Sequence, residues 1–257
     1  MRTDYHMHPM ITQKPERFDE FAKKALAIGI EEVCITDHMP LSISNAADRI
    51  PAGKVGEYCR NVREAAARYE GKLSVKLGIE VDYHSAFVRE IEDVLAQGDF
   101  DFVLGSTHMH LFLADQLDGR LSREEFARRA LENTLAAVKS GYFQIIPHFD
   151  MFRWAFSKTD RYFFSGGEYR MEAYLDLITE ILDEIAARGI RLEINPHFAE
   201  TQKRIENTYP EAPIVEMALA RNIQFQYGSD AHAPNSVGAL LDTLLSHPVY
   251  GKALARK

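Results

Sequence analysis

The sequence predicts an α/β fold in which seven β-α units follow one another in a single domain. Three observations predict it. Short apolar runs alternate with longer amphipathic stretches, each run gives way to polar residues, and no low-complexity linker divides the 257 residues. Strands separated by helices pair in parallel through crossover connections. A chain of this length fits one α/β barrel, a class that commonly spans about 200–250 residues.

The elements can be justified in order. Residues 3–8 form the first strand. In "PERFDEFAKKALAIG", Phe18, Phe21, Ala22, Ala25 and Leu26 fall on one helix face, and Gly29 ends it. "EEVCITD" is the second strand, and residues 54–69 the second helix. "SVKLGIEVDY" is the third strand, followed by a helix near 85–97 with Phe87, Ile91, Val94 and Leu95 on one face. "FDFVLGS" is the fourth strand. The helix after it opens with a capping box, Ser122 and Glu125. "YFQIIPH" is the fifth strand, with a long helix over roughly 168–188. "RLEIN" is the sixth, with a helix after Pro210. "IQFQYGSD" is the seventh, with a final helix near 236–245. The long segment between Phe149 and Tyr169 is the place for an elaborated loop.

Composition narrows the function. A hydrophobic fraction of 46% and a charged fraction of 26% are those of an ordinary globular protein. The formal charge of -8 argues against a nucleic-acid footprint. Cys34 lies in an apolar run and forms no framework with Cys59, which suits a reducing cytoplasm. A signal peptide and a membrane span are both missing from the pattern. A monomer and a homodimer are both compatible with it.

Nine of the ten histidines fall where strands end, and only His247 lies elsewhere. Strand one ends at His6 and His8, which share a face because they are two apart. Strand two ends at Asp37 and His38, and strand three at Glu80, with Asp82 and His84 just beyond. Strand four runs into His108 and His110, strand five into His148 and Asp150, strand six into Asn195 and His197, and strand seven into Asp230 and His232. In a β/α barrel the carboxyl ends of the strands form the active-site rim. Imidazoles and carboxylates are ligands for zinc, iron and manganese. So many at one rim exceed what a single ion uses, and a polynuclear metal site is expected.

"HMH", "ITDH", "GIEVDY", "STH", "PHFD" and "GSDAH", in this order from residue 4 to about 245, resemble the motif series of the polymerase-and-histidinol-phosphatase (PHP) superfamily. "PHFDMFR" and "YPEAPIVEMALARNIQFQYGSDAHAPNSVG" further resemble its histidinol-phosphate phosphatases. The resemblance implies a distorted (β/α)7 TIM-like barrel, the PHP fold, over residues 1–257. It implies two to three divalent metal ions, zinc, iron or manganese. His6, His8, Glu80 and Asp230 would hold one ion. Glu80, His108 and His148 would hold a second, and His38 and His232 a third. Trinuclear members often place a further histidine after the first pair. Here "PMITQKP" offers Gln13, so the third site either takes its amide oxygen or is thinner. "PHFAETQKR" after the sixth strand also departs from the usual small residues and arginine.

The chemistry so implied is hydrolysis of a phosphate monoester by a metal-activated hydroxide, with L-histidinol phosphate of histidine biosynthesis as the leading substrate. Asp150, His197 and His232 are the candidates to serve the leaving group. Arg153, Arg161 and Arg204 are candidates to bind phosphate bidentately, and His84 and His110 to face substrate. Asp37 fits an orienting role better than a ligand role, and His84 fits helix-start punctuation equally well. Phe152, Trp154, Phe156, Tyr162, Phe163 and Phe164 either line a pocket or pack a loop. Ser229 has no Ser-His-Asp partners, so no covalent intermediate is expected. The competing functions are a PHP phosphoesterase acting on another small phosphomonoester or on nucleotides, a nuclease, and a metal-binding regulator without turnover.

Overall fold

Seven parallel strands stand in sequence order in one sheet, β1-β2-β3-β4-β5-β6-β7. They are Thr3–Asp4 (β1), Glu32–Ile35 (β2), Ser74–Asp82 (β3), Phe102–Ser106 (β4), Ile145–Ile146 (β5), Arg191–Ile194 (β6) and Phe225–Tyr227 (β7). The structure, a computed structural model, describes residues 2–43, 47–108, 111, 122–156 and 168–255. The sheet curls until β7 meets β1. Tyr5 N donates to the Tyr227 carbonyl at 3.0 Å, Asp230 N to the His6 carbonyl at 2.8 Å, and His8 N to the Ala231 carbonyl at 2.8 Å. The outcome is the expected barrel, nearly closed, with helices around it.

The described α-helices are Arg17–Ala27 (α1), Val55–Arg68 (α2), Val88–Leu95 (α3), Arg123–Ser140 (α4), Leu175–Arg188 (α5), His197–Gln202 (α6), Ala212–Ala220 (α7), Leu241–Ser246 (α8) and Tyr250–Ala255 (α9). Each lays an apolar stripe on the sheet. Helix α1 buries Phe18, Phe21, Ala22 and Ala25, while Leu26, assigned to the same face, lies at its margin and is 38% exposed. The capping box at α4 is present: the Ser122 hydroxyl accepts from Glu125 N at 3.1 Å. Helix α5 buries Ile178, Ile181, Leu182 and Ile185. It begins later than residue 168, because a 3-10 turn over Met171–Tyr174 precedes it.

Two short helices escape the periodicity argument. Six residues, as in α6 and α9, supply less than two turns of pattern. The expected helix at 236–245 starts only at Leu241, because Gly238 and Leu240 take positive φ values of 70° and 53°. The strands are also shorter than their apolar runs. Their ends become loops that aim side chains across the barrel mouth, which is what places the site. Among the described residues, no helix is long and apolar enough to cross a membrane.

Candidate metal centre

Glu80 occupies the hub of the rim. It is buried near the end of β3, and its two oxygens face different sets of imidazoles. Oε2 lies 3.2 Å from His6 Nε2, 3.4 Å from His8 Nε2 and 2.8 Å from His38 Nδ1. Oε1 lies 3.0 Å from His148 Nε2 and 3.5 Å from His108 Nε2. Asp230 Oδ1 closes the first set, 3.3 Å from His8 Nε2 and 3.8 Å from His6 Nε2. The His8 ring stacks on His38 at 4.2 Å and sits 4.4 Å from that of His232. Five overlapping clusters follow among the described residues: His6, His8 and Asp230; His6, Glu80 and His148; His8, His38 and His232; His38, Asp82 and His108; and His197, Asp230 and His232.

Buried polar atoms without partners test whether cations fit here. His6 Nε2, both ring nitrogens of His8, His38 Nδ1 and Glu80 Oε2 are buried and lack a hydrogen bond. Orphaned buried polar atoms are costly, and several aimed at shared points are a ligand set waiting for a cation. The electrostatics agree. Burial disfavours ionised Glu80, yet the surrounding His38, His6, His108 and His148 outweigh it and hold the carboxyl well below its ordinary range. Burial, with His38 and His232 alongside, pushes His8 well below the usual imidazole value. An ionised Glu80 and a neutral His8 are the protonation states a divalent metal needs, whereas neighbouring carboxylates outweigh burial and push His6 and His108 up, so a cation has protons to displace there. These residues suit divalent metal ions.

Carboxylates behind the rim orient these rings. Glu193 in β6 accepts from His6 Nδ1 at 2.7 Å through Oε1, and from His148 N at 3.0 Å through Oε2. Asp82 hydrogen-bonds His108 Nδ1 and pairs with Arg49. Asp4 accepts Ser229 N at 2.8 Å and Gly238 N at 3.1 Å, tying β1 to the loop after β7. Asp37 accepts Met10 N and Ile11 N at 2.9 and 3.0 Å, fixing the turn after His8. Burial raises both Asp4 and Asp37 to about 6. His148 and Asp230 hold positive φ values of 27° and 55°, strain that concentrates at functional sites. Sequence reasoning missed Glu193, Asp4 and Arg49. The available signal was that a ligating histidine commonly gives its other nitrogen to a carboxylate or carbonyl.

A cavity of about 430 Å³ opens beside the rim, lined in part by His108, Trp154, His197, Phe198, Tyr209 and Asp230. His197 Nδ1 donates to the Asp230 carbonyl at 3.2 Å, and His232 Nδ1 to the same oxygen at 3.0 Å. Both rings thereby turn their Nε2 atoms elsewhere. Asn195 holds the group together, donating to Glu193 at 2.9 Å and accepting from His197 N at 2.9 Å.

Other expected site residues lie apart. Asp150 is buried against Arg153 (2.7 Å) and accepts Glu211 N at 2.9 Å, contacts that anchor a loop. Arg153, three residues on, donates to the Thr208 carbonyl at 2.7 Å and lies over the Tyr209 ring, contacts that engage its guanidinium within the loop packing. Arg204 is exposed and paired with Glu206 at 2.8 Å. His84 caps a short 3-10 turn, its Nδ1 accepting from Ala86 N at 3.2 Å, which realises the punctuation alternative. Gln13 gives its amide nitrogen to the Ala47 carbonyl at 2.6 Å, away from the rim. Phe152 is buried in the loop packing, Phe156 packs on Tyr169, and Trp154 lines the cavity. His247, half-buried, accepts from Val249 N at 3.3 Å near the start of α9. His110, Arg161, Tyr162, Phe163 and Phe164 lie outside the described residues.

Fold and donor set together define a β/α barrel whose carboxyl rim gathers imidazoles and carboxylates suited to divalent metal ions. The PHP domain model matches residues 4–197, and the chain belongs to that family. A Deinococcus radiodurans protein named "Probable histidinol-phosphatase" is 31% identical over 248 residues, covering 91% of this chain and 88% of that one. A Lactococcus lactis histidinol-phosphatase is 23% identical over 237 residues, covering 90% and 84%. The crystal structure of histidinol phosphate phosphatase from Lactococcus lactis, complexed with zinc, L-histidinol and phosphate, superposes with a TM-score of 0.76. It is 21% identical and covers 98% of this chain and 93% of its own.

Proposed function

We propose that the protein is a metal-dependent phosphoric monoester hydrolase that converts L-histidinol phosphate to L-histidinol and phosphate in the cytoplasm, as a step of histidine biosynthesis. The observation that carries this reading is Glu80, with one oxygen turned to His6, His8 and His38 and the other to His108 and His148. A carboxylate so placed could serve two cations at once. The relatives' names supply the substrate.

His6, His8, Glu80 and Asp230 would hold one ion, and Glu80, His108 and His148 a second. His38 and His232 would contribute to a third, giving two to three ions of zinc, iron or manganese. Such ions supply a water acidified towards a pKa of about 7 and offset charge on the phosphoryl oxygens. The chain's own residues do the rest. Glu193 and Asp82 fix the His6 and His108 rings. Trp154, Phe198 and Tyr209 form an apolar wall that excludes water beside the reacting centre. His197 lines this cavity beside Asp230 with its Nδ1 engaged and is the group placed to pass a proton to the leaving oxygen, a role His232 would share only where it holds no ion.

Phosphate release from a panel of L-histidinol phosphate, sugar phosphates, nucleotides and an aryl phosphate tests the reading. The expected result is a kcat/KM for histidinol phosphate at least tenfold above every other member. A smaller margin overturns the substrate, and no turnover by metal-loaded protein overturns the hydrolase.

A further inference from the structure

Arg49 has a buried guanidinium behind the metal rim, on no strand and in no motif. Its Nη1 donates to the Met39 carbonyl at 3.1 Å and pairs with Asp82 Oδ2. The other oxygen of Asp82 binds His108 Nδ1. Its backbone bridges to that of His38, and Ile50 N donates to the His38 carbonyl at 2.9 Å. One residue thus touches the supports of two sets of ligands.

We propose that Arg49 is a positioning residue of the metal centre, which locks Asp82 as an orienting group for His108 and keeps it from becoming a ligand. Asp82 needs the constraint, since one of its oxygens lies within 4.8 Å of a ring nitrogen of both His38 and His108, close enough for the three to share a cation. A carboxylate swinging into that cluster would draw His38 and His108 onto a cation of their own and pull His108 off Glu80. The guanidinium is a permanently charged planar fork, so it fixes the carboxylate in direction as well as in charge. With Asp82 held, His108 keeps its proton on Nδ1 and presents Nε2 to Glu80, 3.5 Å away. The inference rests on the metal centre alone and does not depend on which phosphate ester is the substrate.

The test reads metal binding on purified holoprotein: zinc per chain by elemental analysis, and the rate of zinc loss to a chelator, for Arg49→Met, Arg49→Lys, Asp82→Asn and the Arg49→Met/Asp82→Asn double variant. Circular dichroism of each metal-stripped protein checks the fold. Arg49→Met and Asp82→Asn are each expected to speed loss of the most labile ion by about ten- to a hundredfold, the range for such outer ligand supports. The double variant is expected to be no worse than either single one, because both act on the same ring. Arg49→Lys, charged but without the fork, is expected to fall with Arg49→Met, and it decides the case if Arg49→Met fails to fold. Wild-type zinc loss in the folded arginine variants, or effects that multiply in the double variant, would overturn the proposal.

Discussion

Glu193 and His6 are joined by a hydrogen bond of 2.7 Å between Oε1 and Nδ1, and the other oxygen of Glu193 receives the backbone N–H of His148. One buried carboxylate in β6 therefore sets the angle of a ring from the first loop and the path of the chain at the fifth. Glu193→Gln keeps the shape but weakens the charge-assisted bond. Its metal affinity should fall about ten- to a hundredfold by chelator competition, with the fold retained. Glu193→Ala should further cost about 1–3 kcal/mol in chemical denaturation, for the buried donor of His148 left unmet. Unchanged affinity in Glu193→Gln would sever the link between this carboxylate and the rim.

Gly228 lies against the same pair. A side-chain carbon there would press on the Glu193 carboxylate and come within 2.6 Å of His6 Cβ. Gly228→Ala should lower stability by about 1–3 kcal/mol, typical of overpacking, and reduce metal per chain. A wild-type denaturation midpoint with full metal content would show that Glu193 can move freely.

Glu80 faces both proposed ion sites, so Glu80→Gln should remove a ligand from two ions at once. Loss of several kcal/mol of transition-state stabilisation, at about 1.4 kcal/mol per tenfold, corresponds to roughly 10³-fold in kcat or more. Steady-state kinetics under excess metal checks it, and a drop of less than tenfold would remove Glu80 from the centre.

Protons and metal compete at His108. Burial disfavours its imidazolium, but Asp82 and Glu80 outweigh this and push the metal-free ring up to about 9. At pH 7 that ring carries a proton which a cation must expel. Metal affinity should therefore rise with pH until about 9. In the metal-free protein the sign is opposite: the raised value stabilises the fold fully below 6.5 and the contribution fades as pH climbs through about 9. Calorimetry in buffers of differing ionisation enthalpy measures the protons released, and zero release at pH 7 would contradict the assignment.

The only tryptophan, Trp154, lines the cavity beside His197. Its fluorescence should shift or quench when metal-loaded protein binds L-histidinol with phosphate. A flat titration at saturating product would place the substrate elsewhere.

The gathering of the donor side chains was legible because strand ends carry them, and strand ends are readable from where apolar runs stop. His6, His8, His38, Glu80, His108, His148, Asp230 and His232 sit at such stops. Glu193 was not legible, because it stands inside the run "RLEIN", where spacing says nothing of a partner across the barrel. The inward turn of Arg153 was not legible, because its place in an aromatic loop looks open, whereas Asp150 three residues earlier pairs with it. The helix α6 fell below the length at which periodicity speaks.

The seam between β1 and β7 has a consequence for biogenesis. His6 and Asp230 come from opposite ends of the described chain, yet Asp230 N bonds the His6 carbonyl, and both side chains face one point. A nascent polypeptide still lacking residue 230 already holds His6, His8, His38, Glu80, His108 and His148, but the last wall of the first ion's cage has not been synthesised. A cation held by His6, His8 and Asp230 would therefore settle only once the seventh strand is made, and would tie the two ends of the barrel together.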